Sequence, residues 1–176
     1  MRLSLLLTVL LMLTTSYPLP DEFQMDEATI IVNVKTNQLA LIESGHIAEV
    51  HPVATGKKGD ETPDGLFTVV VKAEQPYYRK KDIAGGDPKN PLGTRWIGFD
   101  ANGTDGRTFG LHGTNRPGSI GYSASAGCIR LANATVERLY DRVDIGSKVL
   151  VVNSEKSFKT LGLEAGFLEE HSLGEE

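Results

Sequence analysis

The fold class follows from residues 28–53, ATIIVNVKTNQLALIESGHIAEVHPV. This stretch contains three runs of apolar and β-branched residues, separated by residues that favour tight turns. The runs are 28–34, 38–42 and 46–53, and the turns are Lys35-Thr36-Asn37 and Ser44-Gly45. Successive short strands joined by hairpin turns predict a domain that is mostly β.

The strand pattern continues along the chain. Further strands are predicted at 66–72, 96–99, 107–112 and 148–152. In residues 75–94 the apolar residues recur with neither the two-residue period of a strand nor the 3.6-residue period of a helix, so a long loop is predicted there. We expect this loop to be a lid or a wall of a substrate cleft, because it holds the Tyr77-Tyr78 pair and a Gly85-Gly86 pivot. A passive connection with inward-facing tyrosines is the alternative.

One helix is predicted after residue 132, with Asn133 as its cap. Its apolar residues recur at i, i+3, i+4 and i+7, as Val136, Leu139, Tyr140 and Val143. The sequence therefore predicts one domain at residues 28–152, and a chain of 176 residues is long enough for one such domain with its own core.

Residues 153–176 form an acidic tail. They contain six Glu and two Lys, so they supply most of the net charge of −5. Gly162 and Gly166 weaken the helical pattern of the tail, which is therefore expected to be a solvated extension. The rest of the chain is nearly neutral, and none of its Lys/Arg runs suggests the clustered basic surface that nucleic-acid binding needs, so that function is set aside.

The first residues resemble a secretory signal peptide. Met1-Arg2 precedes an apolar run at 3–13 and small polar residues at 14–16. A helix over that run would be about 16 Å long, too short for a hydrocarbon core of roughly 30 Å. We expect a signal peptide at residues 1–16 and export of the protein, with an uncleaved anchor as the alternative.

The single cysteine, Cys128, is a candidate nucleophile. One cysteine excludes an internal disulfide and a zinc site built from several cysteines. The small residues before Cys128, in Ser125-Ala126-Gly127, can direct backbone N–H groups to one place, as an oxyanion hole requires. Alternation along a strand puts Cys128 and Arg130 on one face. A buried, inert Cys128 with Arg130 in a surface ion pair remains the structural alternative.

A nucleophilic thiol needs a base, and histidine suits that task near pH 7. His112 ends a predicted strand and precedes a polar turn at 113–118, whereas His46, His51 and His171 lie at surface or packing positions. The sixteen positions from His112 to Cys128 are weak evidence by themselves.

Three separated motifs resemble the L,D-transpeptidases with a YkuD-like catalytic domain. The active-site motif is Phe109-Gly-Leu-His112-Gly113-Thr-Asn-Arg-Pro followed by Ser125-Ala-Gly127-Cys128-Ile-Arg130-Leu. Thr62-Pro-Asp-Gly-Leu-Phe67 and Asn90-Pro-Leu-Gly93 match two further segments of the family. The resemblance covers residues 28–152.

This resemblance implies a β-sandwich or barrel-like catalytic domain with one short helix after the catalytic Cys. It implies Cys128 as the nucleophile, His112 as the base and Gly113 as the residue whose carbonyl orients the imidazole. The backbone N–H of Cys128, with Gly127 or its neighbour, would form the oxyanion hole, Ser125 would belong to the substrate region, and Arg130 would support the pocket. With export, the resemblance implies a location in the cell wall or on the extracellular or periplasmic side of a bacterial membrane. The expectation that Tyr78 contacts substrate comes from its place in the long loop. No metal, organic cofactor or protein partner is implied.

The implied substrate is the peptidoglycan stem peptide. Cys128 would form a thioester with a tetrapeptide stem and release D-Ala, and a second stem would accept the acyl group as a cross-link. Hydrolysis by an L,D-carboxypeptidase, anchoring of a protein to the wall, and a non-catalytic wall-binding module remain alternatives. A carbapenem is the expected covalent inhibitor. Many family members have His immediately before Gly-Cys, where this chain has Ala126.

Overall fold

The computed structural model describes residues 28–169, which form ten strands and two α-helices. The strands are β1 (Thr29–Asn33), β2 (Gln38–Glu43), β3 (His46–Pro52), β4 (Thr55–Gly56), β5 (Gly65–Glu74), β6 (Arg95–Phe99), β7 (Phe109–His112), β8 (Ser123–Ser125), β9 (Ile129–Arg130) and β10 (Lys148–Val152). The helices are α1 (Asn133–Arg142) and α2 (Phe158–Glu164). The predicted signal peptide lies outside the described residues. Within 28–169, no helix is long and apolar enough to cross a membrane.

Eight strands form one sheet in the order β3-β2-β1-β10-β5-β6-β7-β9, and β4 pairs separately with β8. β1 and β10 run parallel, with Ile30 opposite Val149. Two hydrogen bonds of 2.9 Å join the backbones of Ala54, just after β3, and Arg130 in β9. The two edges of the sheet therefore meet, and the predicted mostly β, barrel-like fold is confirmed.

The first hairpins form where the turn sequences predicted them. Ser44 and Gly45 have φ angles of 46° and 72°, and Asn37 has a φ of 51°. Left-handed backbone at both central positions suits the tight turn between antiparallel strands, and asparagine tolerates the same region.

The main core lies inside the curled sheet and is covered on one side by α1. Val136, Leu139 and Val143 are fully buried in it, as their helical spacing predicted. The prediction that Asn133 caps this helix is wrong. The N-cap position belongs to Ala132 and makes no side-chain hydrogen bond, whereas Asn133 is the first helical residue.

The prediction of a solvated tail is wrong for residues 158–168. Helix α2 is capped by Ser157, whose side chain accepts a hydrogen bond from the Thr160 N–H. Leu161 and Phe167 form a second apolar cluster with Ile31 and Ile42 of the sheet. The unbroken apolar run of β1 explains this packing, because a strand that is apolar on both faces needs a cover on each face.

Candidate active site

His112 and Cys128 lie on one face of the sheet, in neighbouring segments. β7 and β9 are parallel, with Leu111 opposite Ile129 and His112 opposite Arg130. Leu111 and Ile129 are fully buried in the core. Because side chains alternate along a strand, His112, Arg130 and the preceding Cys128 are directed to the opposite face. The structure therefore brings together the three residues that the motif singled out.

A cleft of about 470 Å³ opens beside the Cys128 thiol. Its lining residues are Val71, Ala73, Pro76, Tyr77, Tyr78, Arg79, Lys80, Leu92, Trp96, Arg107, Thr108 and Cys128. One wall consists of residues 76–80 from the long loop. The buried Asn90 side chain donates hydrogen bonds to the carbonyls of Pro76 and Ala84, which ties both sides of the loop together. The loop is thus a fixed wall of the cleft in this structure.

The His112 imidazole is buried and neutral at physiological pH. Burial lowers the pKa of His112 to about 4, and the nearby Arg130 charge acts in the same direction. The Nδ1 atom lies 2.6 Å from the Gly113 carbonyl oxygen. A carbonyl oxygen only accepts, so Nδ1 carries the proton and Nε2 retains its lone pair. This is the protonation state that a general base requires.

The Cys128 side chain is held at the mouth of the cleft. It is half-buried, and its Sγ donates to the Thr108 carbonyl at 3.3 Å. Burial raises the pKa of the Cys128 thiol, although the Gly110 backbone, Lys80 and Arg130 oppose that effect. The resting residue is therefore a thiol, and nucleophilic attack requires a base to remove its proton.

The structure gives Ser125 and Gly127 roles other than substrate contact. The buried Ser125 hydroxyl donates to the Cys128 carbonyl and accepts a 3.1 Å hydrogen bond from the Gly127 N–H. The Gly127 N–H therefore already has a partner within the turn. Gly127 has a φ of 100°, a conformation that favours glycine. Both residues shape the turn that presents Cys128.

A second layer of contacts supports this turn. The Thr62 hydroxyl accepts a 2.9 Å hydrogen bond from the Gly56 N–H in β4. β4 pairs with β8, and the Lys57 N–H donates to the Ser125 carbonyl at 3.0 Å. Thr62 of the second sequence motif thus positions the segment that leads to Cys128.

Arg130 and Tyr78 lie beside Cys128. The Arg130 guanidinium is partly buried and is within electrostatic reach of Cys128, Tyr78 and Arg116. Among residues 28–169 it forms no ion pair with a carboxylate, so the alternative of a surface ion pair is not what the structure shows. Its charge is available to an anionic ligand.

Trp96 is a site residue that the sequence analysis missed. It is the cross-strand partner of His112 and lines the cleft. Its Nε1–H donates to the Gly106 carbonyl at 2.8 Å. The signal was available in the sequence, since the only tryptophan of the chain falls in a predicted strand beside the loop of the cleft.

The other described histidines have different surroundings. His51 contacts Glu49, which also pairs with Arg138 and Arg142, and the exposed His46 contacts the Ser44 carbonyl. His171 lies outside the described residues. In the part of the chain that the structure describes, no three His, Cys, Asp or Glu residues cluster closely enough to hold a metal ion.

Comparisons with known proteins agree with this geometry. Residues 27–151 match the model of the YkuD family, the L,D-transpeptidase catalytic domain. The chain is 48% identical over 159 residues to the putative L,D-transpeptidase YqjB of Bacillus subtilis, covering 90% of each protein.

Solved structures show the same fold. An L,D-transpeptidase from Mycobacterium smegmatis superimposes with a TM-score of 0.59 at 23% identity, over 72% of this chain and 58% of that chain. L,D-transpeptidase 3 from Mycobacterium tuberculosis, solved with a faropenem-derived adduct, superimposes with a TM-score of 0.56 at 21% identity, over 70% of this chain and 59% of that chain. The chain thus spans somewhat more than half of these solved chains. With a family model that matches most of its length and a relative that is nearly half identical, this chain belongs to the YkuD family of L,D-transpeptidases.

Proposed function

We propose that this protein is a peptidoglycan L,D-transpeptidase that cross-links stem peptides through a thioester on Cys128. The observation that carries the proposal is the placement of a protonated thiol and a neutral, buried imidazole on one face of adjacent segments, with the thiol lining a cleft. A thiol and a neutral base in such an arrangement are the two groups that acyl transfer needs.

In the first step, His112 Nε2 removes the proton from Cys128 Sγ, and the sulfur attacks the carbonyl that precedes the terminal D-Ala of a donor stem. The Cys128 N–H stabilises the resulting oxyanion. The carbon–nitrogen bond then breaks, and the D-Ala amine leaves with the proton that His112 held. The acyl group remains on Cys128 as a thioester.

In the second step, an amine of a neighbouring stem attacks the thioester. His112 takes the proton of the amine, the carbon–sulfur bond breaks, and the Cys128 sulfur recovers the proton. The product is a new amide between two stems. Water in place of the amine gives an L,D-carboxypeptidase product from the same thioester, and a protein amine gives wall anchoring.

The charge around the cleft supports an anionic peptide substrate. The whole chain carries −5, yet Arg79, Lys80 and Arg107 line the cleft and Arg130 lies beside it. Stem peptides end in a carboxylate and carry others along their length. Positive groups at the cleft therefore match the expected substrate in sign.

The decisive experiment is incubation of the purified domain with disaccharide tetrapeptides, followed by mass spectrometry of the products. We expect cross-linked dimers and one released D-Ala per acyl transfer, with Cys128→Ala as the inactive control. Tripeptides without dimers would indicate the carboxypeptidase instead. Full activity of Cys128→Ala, or no D-Ala release by the wild-type protein, would contradict the proposal. Exposure to imipenem provides an independent measure, because a reactive Cys128 gains the mass of the carbapenem.

A further inference from the structure

The Asn133 side chain holds the peptide group that orients the catalytic histidine. Its Oδ1 accepts a 3.0 Å hydrogen bond from the Thr114 N–H. The carbonyl of that same peptide group belongs to Gly113, and it accepts the proton of His112 Nδ1 at 2.6 Å. One planar peptide unit therefore connects Asn133 on α1 to the imidazole on β7.

The packing around Asn133 shows that this contact is built into the fold. A Cβ atom placed on Gly113 would lie 2.1 Å from Asn133 Oδ1, and one placed on Gly93 would lie 2.2 Å from it. Any side chain at either glycine would displace the amide. Both the active-site turn and the Asn90-Pro-Leu-Gly93 segment thus leave room for this one oxygen.

We propose that Asn133 is a positioning residue that fixes the Gly113–Thr114 peptide and thereby holds His112 in the Nδ1-protonated form with a basic Nε2. The hydrogen bond at the N–H end of an amide polarises its carbonyl and makes it a better acceptor. A better acceptor at Nδ1 favours transfer of the Cys128 proton to Nε2. This inference rests on the proposed function, since it assumes that His112 deprotonates Cys128.

Few other groups act on the imidazole. The charged group that acts on it is Arg130 of β9, Cys128 precedes the same strand, and the Leu92 carbonyl adds a second backbone acceptor. From β6, the residue that packs against the imidazole is Trp96, which carries no charge. The Gly113 carbonyl is therefore the main contact that opposes the effect of burial on His112.

The test compares Asn133→Ala with the wild-type protein in acylation by imipenem, followed by intact-mass spectrometry from about pH 3.5 to 9.5. We expect a loss of about five- to tenfold near pH 7, the size of one hydrogen bond. The loss should shrink as the pH approaches that of thiol ionisation, because a thiolate needs no base. A loss that is equal at every pH would indicate a merely structural defect and overturn the proposal.

Two further variants serve as a matched control and as a conservative replacement. Asn115→Ala is the matched control, because the exposed Asn115 amide joins the same turn to the Lys89 carbonyl without contacting the Gly113–Thr114 peptide. We expect it to be acylated at the wild-type rate. Asn133→Asp retains the acceptor and suits the first turn of a helix, so it should fold and remain active. Its stronger acceptor should move the acidic limb of the profile to higher pH.

A spectroscopic measurement separates this proposal from the proposed function. The ¹⁵N shifts of His112 in the resting protein should show a protonated Nδ1 in wild type and in Asn133→Asp, and a mixture of tautomers in Asn133→Ala. If Asn133→Ala does not fold, an acidic limb in Asn133→Asp identical to that of the wild type overturns the proposal. Absence of any imipenem adduct on the wild-type protein would instead count against the proposed function.

Discussion

The indole of Trp96 lies almost flat against the imidazole of His112, with ring centroids 5.6 Å apart and planes inclined by 19°. The two residues are cross-strand partners on β6 and β7. A Cβ atom on Gly98 or Gly110 would come within 2.5 Å or 2.7 Å of the indole, so both glycines make room for it. The stacked indole covers one face of His112 and so contributes to its burial, and burial is the main cause of the low pKa of His112.

Replacement of Trp96 should therefore change the pH dependence of the reaction. Trp96→Leu should admit water to His112 and raise its pKa towards the ordinary value, so that the acidic limb of imipenem acylation moves to higher pH. Trp96→Phe retains a stacked ring and should leave the limb near its wild-type position, with a stability cost of about 1 kcal/mol for the unpaired Gly106 carbonyl. Identical profiles for the Leu variant and the wild type would contradict this explanation.

The buried histidine should also make stability depend on pH. The folded pKa of His112, about 4, lies below its ordinary value of 6.5, so the unfolded chain binds more protons between these values. Stability should consequently fall as the pH drops from 6.5 to 4, by roughly 3 kcal/mol. Urea unfolding at several pH values measures the effect. His112→Asn should lack this component, whereas His46→Asn, at an exposed position, should retain it.

The lysine that lines the cleft should contribute to substrate binding. Lys80→Gln should lower kcat/KM for a stem peptide by about two- to fivefold, the usual size for an exposed charge pair. Added salt should narrow the difference from the wild type because it screens the charge. Lys81→Gln is the control, since Lys81 is adjacent but does not line the cleft. Equal losses in both variants would argue against a specific contact.

Ala126 should be compatible with full reactivity. It is exposed, and the thiol, the base and the Cys128 N–H do not depend on its side chain. Ala126→His should change the acylation rate by less than about tenfold, or roughly 1.4 kcal/mol of barrier. An inert natural protein that Ala126→His activates by several powers of ten would identify a disabled enzyme and favour a wall-binding module.

Helix α2 should stabilise the domain without taking part in catalysis. Leu161→Ala removes a side chain that is only 6% exposed, and should lower the free energy of unfolding by about 2–4 kcal/mol. Lys159→Ala, on the exposed side of the same helix, should have little effect. At temperatures well below the transition, both variants should react with imipenem at the wild-type rate. A slower reaction of the folded Leu161→Ala would show that α2 affects the site.

The hairpins and the buried stripe of α1 followed from local sequence. Each depends on a short-range pattern, such as the left-handed pair Ser44-Gly45 or the helical spacing of Val136 and Leu139. The placement of His112 and Cys128 in adjacent segments was expected from the motifs and not from their spacing alone. These features are predictable because the deciding residues are close in sequence or belong to one motif.

The contacts that were missed join distant segments. Asn133 is a residue type that often caps helices, yet its Oδ1 accepts a hydrogen bond from Thr114, nineteen residues earlier. No local pattern in the sequence indicates that partner. Trp96 finds its role only through the register of β6 and β7. The packing of α2 depends on β1, because the apolar side chain of Ile31 is buried only when Leu161 and Phe167 cover it. The glycines of the tail indicate only a weak helix, and they carry no information about the apolar face of β1 that α2 covers.

The pairing of β1 with β10 bears on how the chain folds. Among the strands of residues 28–169, the first to be synthesised is a neighbour of the last, and Ile30 can pair with Val149 only when nearly all of that range exists. Pairing across such a sequence separation slows folding, because chain entropy is lost before the contacts form. A chain that ends before residue 148 lacks the strand that pairs with both β1 and β5, so these two strands each keep an unpaired edge where β10 belongs. Until that strand arrives, these open edges are the part of the molecule most exposed to aggregation.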